Sequence, residues 1–151
     1  MGVVEGCLDL LSTRKMLMSI VDDEFDIAQL FHDALVTING FSVFAFTDPI
    51  TALEHFAANR DNYVIIISDL RMPSINGMDL VKKIKELNPF VRTILMTAFA
   101  IKDDLFQEYA KKEIINGFLQ KPIHLADLYT EVNNQLHNYE LLKQEPFIRI
   151  K

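Results

Sequence analysis

The sequence predicts a single α/β domain in which a five-stranded parallel sheet is covered by helices on both faces. Short apolar runs alternate along the chain with longer segments whose apolar residues recur at helical spacing, which is the pattern of consecutive β-α units. Right-handed crossovers between parallel strands place the helices on both faces of the sheet. A length of 151 residues, half of them hydrophobic, is sufficient for one such core.

Five segments have the composition of strands. The clearest is the run Val64-Ile65-Ile66-Ile67, because consecutive β-branched residues are typical of a strand buried on both faces. In chain order the predicted strands are 16–21, 41–46, 64–68, 93–96 and 117–120.

Five helices follow from apolar spacing and from residues that begin or end a helix. Asn39-Gly40 ends the first helix, Asp48 caps the second with Pro49 in its first turn, and Asn88-Pro89 ends the third. Pro146 is expected to end the last. The predicted helices are 24–38, 49–58, 78–87, 102–112 and 124–142.

We expect residues 1–14 to form a flexible leader, residues 15–142 the domain and residues 143–151 a C-terminal tail. The leader has no apolar stretch long enough for a signal peptide or a membrane span. The single cysteine, Cys7, excludes an internal disulfide and is typical of a reducing compartment, so we expect a cytoplasmic protein. The tail is either a disordered terminus or an apolar segment that docks on the domain or on a partner.

The charge balance argues against a nucleic-acid-binding surface. The chain has 15 Lys and Arg residues against 21 Asp and Glu residues, a formal net charge of −6. We therefore expect neither nucleic acid nor a membrane among the partners of this chain.

Polar side chains follow four of the predicted strands. Asp22 and Asp23 come after the first strand, Asp69 after the third, Thr97 after the fourth and Lys121 after the fifth. The carboxyl ends of parallel strands form the edge at which open α/β sheets bind ligands. Alone, each feature is explained as well by a helix cap or a turn. Their joint order is far more specific and predicts one site.

The chemistry of these side chains indicates a phosphoryl site. Neighbouring carboxylates at Asp22, Asp23 and Asp69 would raise one another's pKa, and a divalent cation would relieve the repulsion. Because the ligands are all oxygens, the favoured ion is Mg²⁺, which commonly binds carboxylates together with a phosphate. A carboxylate beside Mg²⁺ can attack phosphorus, while Lys121 and the Thr97 hydroxyl contact the other phosphoryl oxygens.

Four short motifs surround these polar residues: Val21-Asp22-Asp23-Glu24, Ser68-Asp69-Leu70-Arg71-Met72-Pro73, Met96-Thr97-Ala98 and Gln120-Lys121-Pro122. Together they resemble the receiver domain of two-component response regulators, over about residues 15–142. The resemblance implies a flavodoxin-like doubly wound sheet with strand order 2-1-3-4-5, an order that cannot be read from the strand patterns themselves.

The resemblance implies a role for each position. Asp69 becomes the phosphoacceptor, which takes a phosphoryl group from a phosphohistidine of a sensor histidine kinase or phosphotransfer protein. Asp22, Asp23 and the backbone carbonyl of Arg71 become further Mg²⁺ ligands. Such a module is not an enzyme beyond its own phosphorylation and dephosphorylation.

Two more positions, Thr97 and Phe118, acquire a role in switching. Lys121 and Thr97 would bind the phosphoryl oxygens, and Phe118 occupies the position of the switch aromatic, unless it is a plain core residue of the fifth strand. Phosphorylation would draw Thr97 inward, turn Phe118 and reshape the surface of helix 4, strand 5 and helix 5 for an unknown downstream protein.

The chain also departs from the family pattern. Arg71 and Phe99 flank the acceptor at positions that tune the phosphoryl lifetime, and their bulk predicts slow to moderate self-dephosphorylation. The segment 111–117 replaces the Gly-Ala pair that usually ends the fourth helix. The last helix, predicted to be acidic and without arginine, does not support the charged dimer contact of transcription-factor receivers, so we expect a monomer or a weak dimer.

Three alternatives compete with a stand-alone receiver. The first is a fragment of a longer regulator. The second is a scaffold that is never phosphorylated, although retention of all the site positions argues against it. A phosphatase of the haloacid-dehalogenase type would need a second aspartate two residues after the nucleophile, where this chain has Arg71.

Overall fold

A computed structural model describes residues 16–98 and 104–150, with residues 144–150 described as backbone only. Five strands form one sheet in the order β2-β1-β3-β4-β5, and every neighbouring pair is parallel. The predicted sheet and its strand order are therefore confirmed. The strands are β1 (Met16–Val21), β2 (Phe41–Phe46), β3 (Tyr63–Asp69), β4 (Arg92–Thr97) and β5 (Gly117–Gln120).

Five α-helices cover the two faces of the sheet within the described residues. Two of them begin with a side-chain cap, since Asp48 accepts a hydrogen bond from the Ile50 N–H at 3.0 Å and Asn76 accepts one from the Asp79 N–H at 2.8 Å. The helices are α1 (Phe25–Leu35), α2 (Pro49–Asn59), α3 (Gly77–Leu87), α4 (Asp104–Lys111) and α5 (Leu125–Ile150), with a 3₁₀ turn at Arg60–Asn62.

The core consists of apolar layers on opposite sides of β3, all of whose residues are buried. Phe31 of α1 and Leu128 of α5 pack with β-strand residues on one side. Phe56 of α2 and Leu80 of α3 pack on the other. This arrangement explains the uninterrupted apolar sequence of β3, because both faces of that strand are covered.

The predicted end of the last helix is wrong. Pro146 was expected to stop the helix before it, yet α5 continues to Ile150 and thereby includes Arg149, so the expectation of a last helix without arginine is also wrong. A proline removes one backbone donor and crowds the carbonyl four residues earlier, but an established helix gains a hydrogen bond with each added residue. The division at residue 142 into domain and tail stays a prediction.

Some sequence predictions concern residues that the structure does not describe. The leader, residues 1–14, and the first turn predicted for the fourth helix, residues 102–103, lie outside the described ranges. Among the described residues, no helix is long and apolar enough to cross a membrane.

The end of α4 is unusual in its backbone. Glu113 has a φ of +60°, a left-handed conformation that glycine adopts more readily. The Ile114 N–H then donates to the Tyr109 carbonyl at 2.8 Å, which closes the helix. This is the segment that lacks the Gly-Ala pair, and the helix ends there with a non-glycine residue in the left-handed region, at the expense of some strain.

Gly77, the first residue of α3, lets this helix approach the end of β3. A Cβ atom at Gly77 would lie 2.3 Å from the Asp69 carbonyl oxygen, well inside van der Waals contact. The Gly77 N–H donates to the Leu70 carbonyl at 2.8 Å, so the helix start cannot move away without losing that bond. A glycine is required here by space, and it fixes the backbone beside Asp69.

We predict that Gly77→Ala lowers the free energy of unfolding by about 2–3 kcal/mol, because the new methyl group must displace backbone in a packed site. Urea unfolding monitored by circular dichroism measures this change. Lys83→Ala, on the exposed side of the same helix, is the control and should change the value by less than about 0.5 kcal/mol. Equal stability of the two variants would contradict the packing argument.

Candidate functional site

Three carboxylates meet at the carboxyl edge of the sheet. Asp69 is the last residue of β3, while Asp22 and Asp23 follow β1, the neighbouring strand. One oxygen of each carboxylate lies within 4.8 Å of the others. Asp22 is held in place by its backbone, whose N–H donates to the Phe46 carbonyl of β2 at 3.0 Å. The order of the strands therefore brings Asp69 next to Asp22 and Asp23, which lie far from it in the sequence.

Lys121 bridges two of these carboxylates. Its ammonium nitrogen lies 3.2 Å from Asp22 Oδ2 and 3.2 Å from Asp69 Oδ1. The backbone N–H of Lys121 donates to the Thr97 carbonyl at 2.7 Å, which ties the end of β5 to the end of β4. The bridge crosses the sheet from β5 to β1 over the ends of β4 and β3.

Backbone N–H groups further orient the two bridged carboxylates. The Leu70 N–H donates to Asp69 Oδ1 at 3.0 Å, and the Glu24 N–H donates to Asp22 Oδ1 at 2.9 Å. Each of these aspartates thus accepts from one backbone donor and from Lys121. A carboxylate held by two donors has a restricted rotamer, so the site is preorganised.

The surroundings shift the pKa values of both charged partners. Burial raises the pKa of Asp69 above its usual range, and repulsion from Asp22 raises it further, although Lys121 opposes both effects. Burial by itself lowers the pKa of Lys121, but attraction to Asp22 and Asp69 and the hydrogen bonds to both together raise it above its usual value. Lys121 therefore stays charged at neutral pH.

An open cavity of about 250 Å³ gives access to this cluster. Thr97 is buried at the end of β4 and lines the cavity, as does Arg71. The predicted site positions of Asp22, Asp23, Asp69, Thr97, Arg71 and Lys121 are thus brought to one edge, while Phe99 lies outside the described residues. The full set of lining residues is Asp23, Glu24, Asp69, Leu70, Arg71, Thr97, Ala98 and Lys121.

Phe118 lies away from the acidic cluster, on the outer side of β5. Its side chain is 37% exposed, which excludes the alternative that it is a plain core residue. The ring contacts Phe106 of α4 edge to face, with 5.8 Å between ring centroids. Phe118 therefore sits at the surface between α4 and β5, three residues before Lys121.

Sequence reasoning missed several residues that shape the site. Leu70 and Glu24 act through backbone N–H groups, for which side-chain patterns give no signal. No sequence pattern indicated that Phe106 contacts Phe118. Gly77 lies just outside the helix predicted at 78–87, although a glycine at that position is a usable sign of close backbone approach.

The sequence of the chain matches a known protein family. The family described as "Response regulator receiver domain" matches residues 18–133, more than half of the chain. The chain belongs to the response regulator receiver domain family. This match confirms the receiver domain of two-component signalling that the resemblance of its motifs implied.

Individual relatives and a solved structure agree with this family. The DNA-binding transcriptional regulator NtrC of Escherichia coli K12 is 27% identical over 87% of this chain, which covers 27% of that protein. The sensor kinase CckA of Brucella abortus is 26% identical over 91% of this chain and 14% of its own length. The receiver domain thus spans about a quarter or less of these curated relatives.

The solved structure of a response regulator receiver domain protein from Clostridium thermocellum has 29% sequence identity and a TM-score of 0.72. The match covers 84% of this chain and 98% of that one. This structural neighbour supports the receiver fold over nearly its whole length.

We predict that Asp69→Asn raises the free energy of unfolding at neutral pH when Mg²⁺ is removed. The folded-state pKa of Asp69 is raised above its ordinary value of 3.8. The contribution of such a carboxyl group to stability is fully present when the pH is below 3.8, and it is lost as the pH rises through the folded-state pKa. The gain from Asp69→Asn should therefore shrink on acidification and vanish below pH 3.8. Urea unfolding across this range, in EDTA, measures it.

Asp61→Asn, at an exposed position in the 3₁₀ turn, is the matched control and should show no comparable pH-dependent gain. A gain from Asp69→Asn that is the same at acid and neutral pH would show that electrostatics is not its source.

Proposed function

We propose that Asp69 accepts a phosphoryl group from the phosphohistidine of a sensor histidine kinase or a phosphotransfer protein. The observation that carries this proposal is the contact of the Asp69 carboxylate with Lys121 at 3.2 Å, beside two more carboxylates and an open cavity. A carboxylate oxygen at the mouth of a cavity is accessible to an incoming phosphorus atom. The preorganised cation beside it offsets the charge that such an attack brings in.

The acidic cluster fits a bound Mg²⁺ ion. Its donors are oxygens from Asp22, Asp23 and Asp69, whose ligand atoms lie within 4.8 Å of one another, and the Arg71 backbone carbonyl is the further ligand we assign. When bound, Mg²⁺ would neutralise negative charge on the phosphoryl oxygens and permit close approach to three carboxylates.

The chain's own residues account for the transfer. An Asp69 Oδ atom attacks phosphorus, a P–O bond forms and the P–N bond to the donor imidazole breaks, with the electron pair leaving on that nitrogen. Lys121 shifts from its carboxylate contacts to a phosphoryl oxygen, and the Thr97 hydroxyl donates to another. No proton has to leave Asp69 once its carboxyl group is ionised.

The phosphoryl group would change the surface through Thr97 and Phe118. Movement of Thr97 toward the phosphoryl oxygen at the end of β4 leaves space beside β5, into which the exposed Phe118 ring turns from its contact with Phe106. The surface of α4, β5 and α5 then has a different shape, which an unknown downstream protein prefers.

Hydrolysis of the acyl phosphate would reset the module. Arg71 lines the cavity and Phe99 is the second position assigned to lifetime tuning, so slow to moderate self-dephosphorylation remains our expectation. We assign no other catalytic activity to the chain. Binding of a downstream protein, by a monomer or a weak dimer, is the output.

We predict that Asp69→Asn abolishes covalent labelling by acetyl phosphate or by a phosphohistidine donor, because the amide has no nucleophilic carboxylate oxygen. Intact-mass spectrometry in the presence of Mg²⁺ detects the added phosphoryl group. Asp61→Asn should label like the unsubstituted protein. Persistent labelling of Asp69→Asn would refute the acceptor assignment, and an unlabelled parent protein that also fails to bind beryllofluoride would indicate the scaffold alternative.

We predict that beryllofluoride with Mg²⁺ removes the nuclear Overhauser contacts between the rings of Phe106 and Phe118, since this mimic of the phosphoryl group should turn Phe118 inward. Thr97→Ala should keep these contacts, because the side chain that couples the two sites is gone. Thr130→Ala, an exposed threonine of α5, is the control and should lose them as the parent does. Loss of the contacts in Thr97→Ala would contradict the coupling.

A further inference from the structure

A second cavity lies at the opposite edge of the sheet from Asp69. Its volume is about 290 Å³, and it is bounded by the last turn of α3, the segments that precede β4 and β5, and α5. Three cations line it, Lys85, Arg92 and Lys112, together with one carboxylate, Glu113. We call it the basal cavity and define it by these four residues.

The two inner cations of the basal cavity are bonded to neutral oxygens. Lys85 Nζ donates to the Val91 carbonyl at 2.6 Å and to Asn116 Oδ1 at 2.7 Å, with a longer contact of 3.4 Å to the Pro89 carbonyl. These bonds fix the position of the ammonium group without cancelling its charge.

Arg92 is arranged in the same way. Its Nε donates to Gln135 Oε1, a neutral amide oxygen, at 2.8 Å. Within the described part of the chain, neither Lys85 nor Arg92 has a carboxylate oxygen within 4.0 Å, the limit for an ion pair. Glu113 is near enough to attract both cations, and Glu131 also attracts Arg92, but neither carboxylate forms an ion pair with them.

The two inner cations therefore repel each other without a direct counterion. Burial and repulsion from Arg92 lower the pKa of Lys85 to about 8, although Glu113 acts in the other direction. An oxyanion between the two cations would remove this repulsion. Such a concentration of positive charge stands out on a chain with a net charge of −6.

One wall of the basal cavity comes from the distal part of α5. Leu142 lines the cavity, and Lys143 lies over the rings of Phe90 and Tyr139 at 5.3 and 5.4 Å from their centroids. The contact with Phe90 joins α5 to the segment before β4, whereas Tyr139 belongs to α5 itself. Leu142 and Lys143 lie beyond residues 18–133, the part of the chain that the receiver family matches.

We propose that the basal cavity binds a small phosphate or carboxylate anion. Lys85 and Arg92, held by neutral acceptors, provide the charge. Lys112 at the exposed rim contributes less, because it also forms an ion pair with Glu108 at 3.3 Å. The volume is at the lower end of the range for ligand cavities, which limits the occupant to a small molecule. Binding here is independent of Asp69, because the two cavities share no lining residue.

The test is an NMR titration of the full chain with inorganic phosphate against chloride at matched ionic strength, in EDTA. We expect saturable shifts of the Arg92 and Asn116 amide signals with phosphate. Lys112→Gln should weaken this binding roughly two- to fivefold and Glu113→Gln should strengthen it by a similar factor, the effect of one exposed charge. Lys83→Gln, exposed on α3 outside the cavity, is the matched control and should leave it unchanged.

Several results would overturn the proposal. These are identical shifts with chloride, shifts confined to Leu70 and Ala98 beside Asp69, or equal effects of Lys112→Gln and Lys83→Gln. Lys85→Met should abolish the saturable shifts, and if that variant does not fold, the two rim substitutions still decide the question. Failure of Asp69 to become labelled would leave this outcome unaffected, so the two proposals are tested separately.

Discussion

The ion bridge from Lys121 to Asp22 and Asp69 is the interaction on which the carboxyl edge of the sheet depends. Without Lys121, two buried carboxylates would face each other across the ends of β1 and β3, and each would lose its cationic partner. The single positive charge of Lys121 compensates part of the negative charge of these carboxylates. The cluster stays net negative, since Asp23 adds a third carboxylate. A site that is held together yet short of positive charge is suited to a cation and a phosphoryl group.

Sheet order explains why such a site forms. β3 lies at the centre with β1 on one side and β4 on the other, so its last residue, Asp69, is flanked by the residues that follow both neighbours. Lys121 reaches this point from β5, one strand further away, because a lysine side chain is long. The buried, apolar β3 is thus both the centre of the core and the support of Asp69.

Most of this arrangement could be predicted from the sequence, for a definite reason. The apolar run of β3 and the polar residues directly after four strands are local signals, and parallel order converts them into spatial neighbours. What could not be predicted depends on contacts between distant segments or on backbone groups. The Leu70 N–H at Asp69, the Phe106 partner of Phe118 and the continuation of α5 past Pro146 are of this kind.

β4 connects the two ends of the molecule. Its last residue, Thr97, lines the cavity beside Asp69, and its first, Arg92, lines the basal cavity. Central parallel strands are rigid. We therefore expect a movement of Thr97 to displace side chains next to β4, near the exposed Phe118, rather than to be transmitted along the strand. Arg92 is further held by Gln135 of α5, which itself donates to the Asn116 carbonyl before β5. The polar contacts at the basal edge therefore tie α5 to β4 and to the segment before β5, and we expect the proposed movement of Phe118 to leave this edge in place.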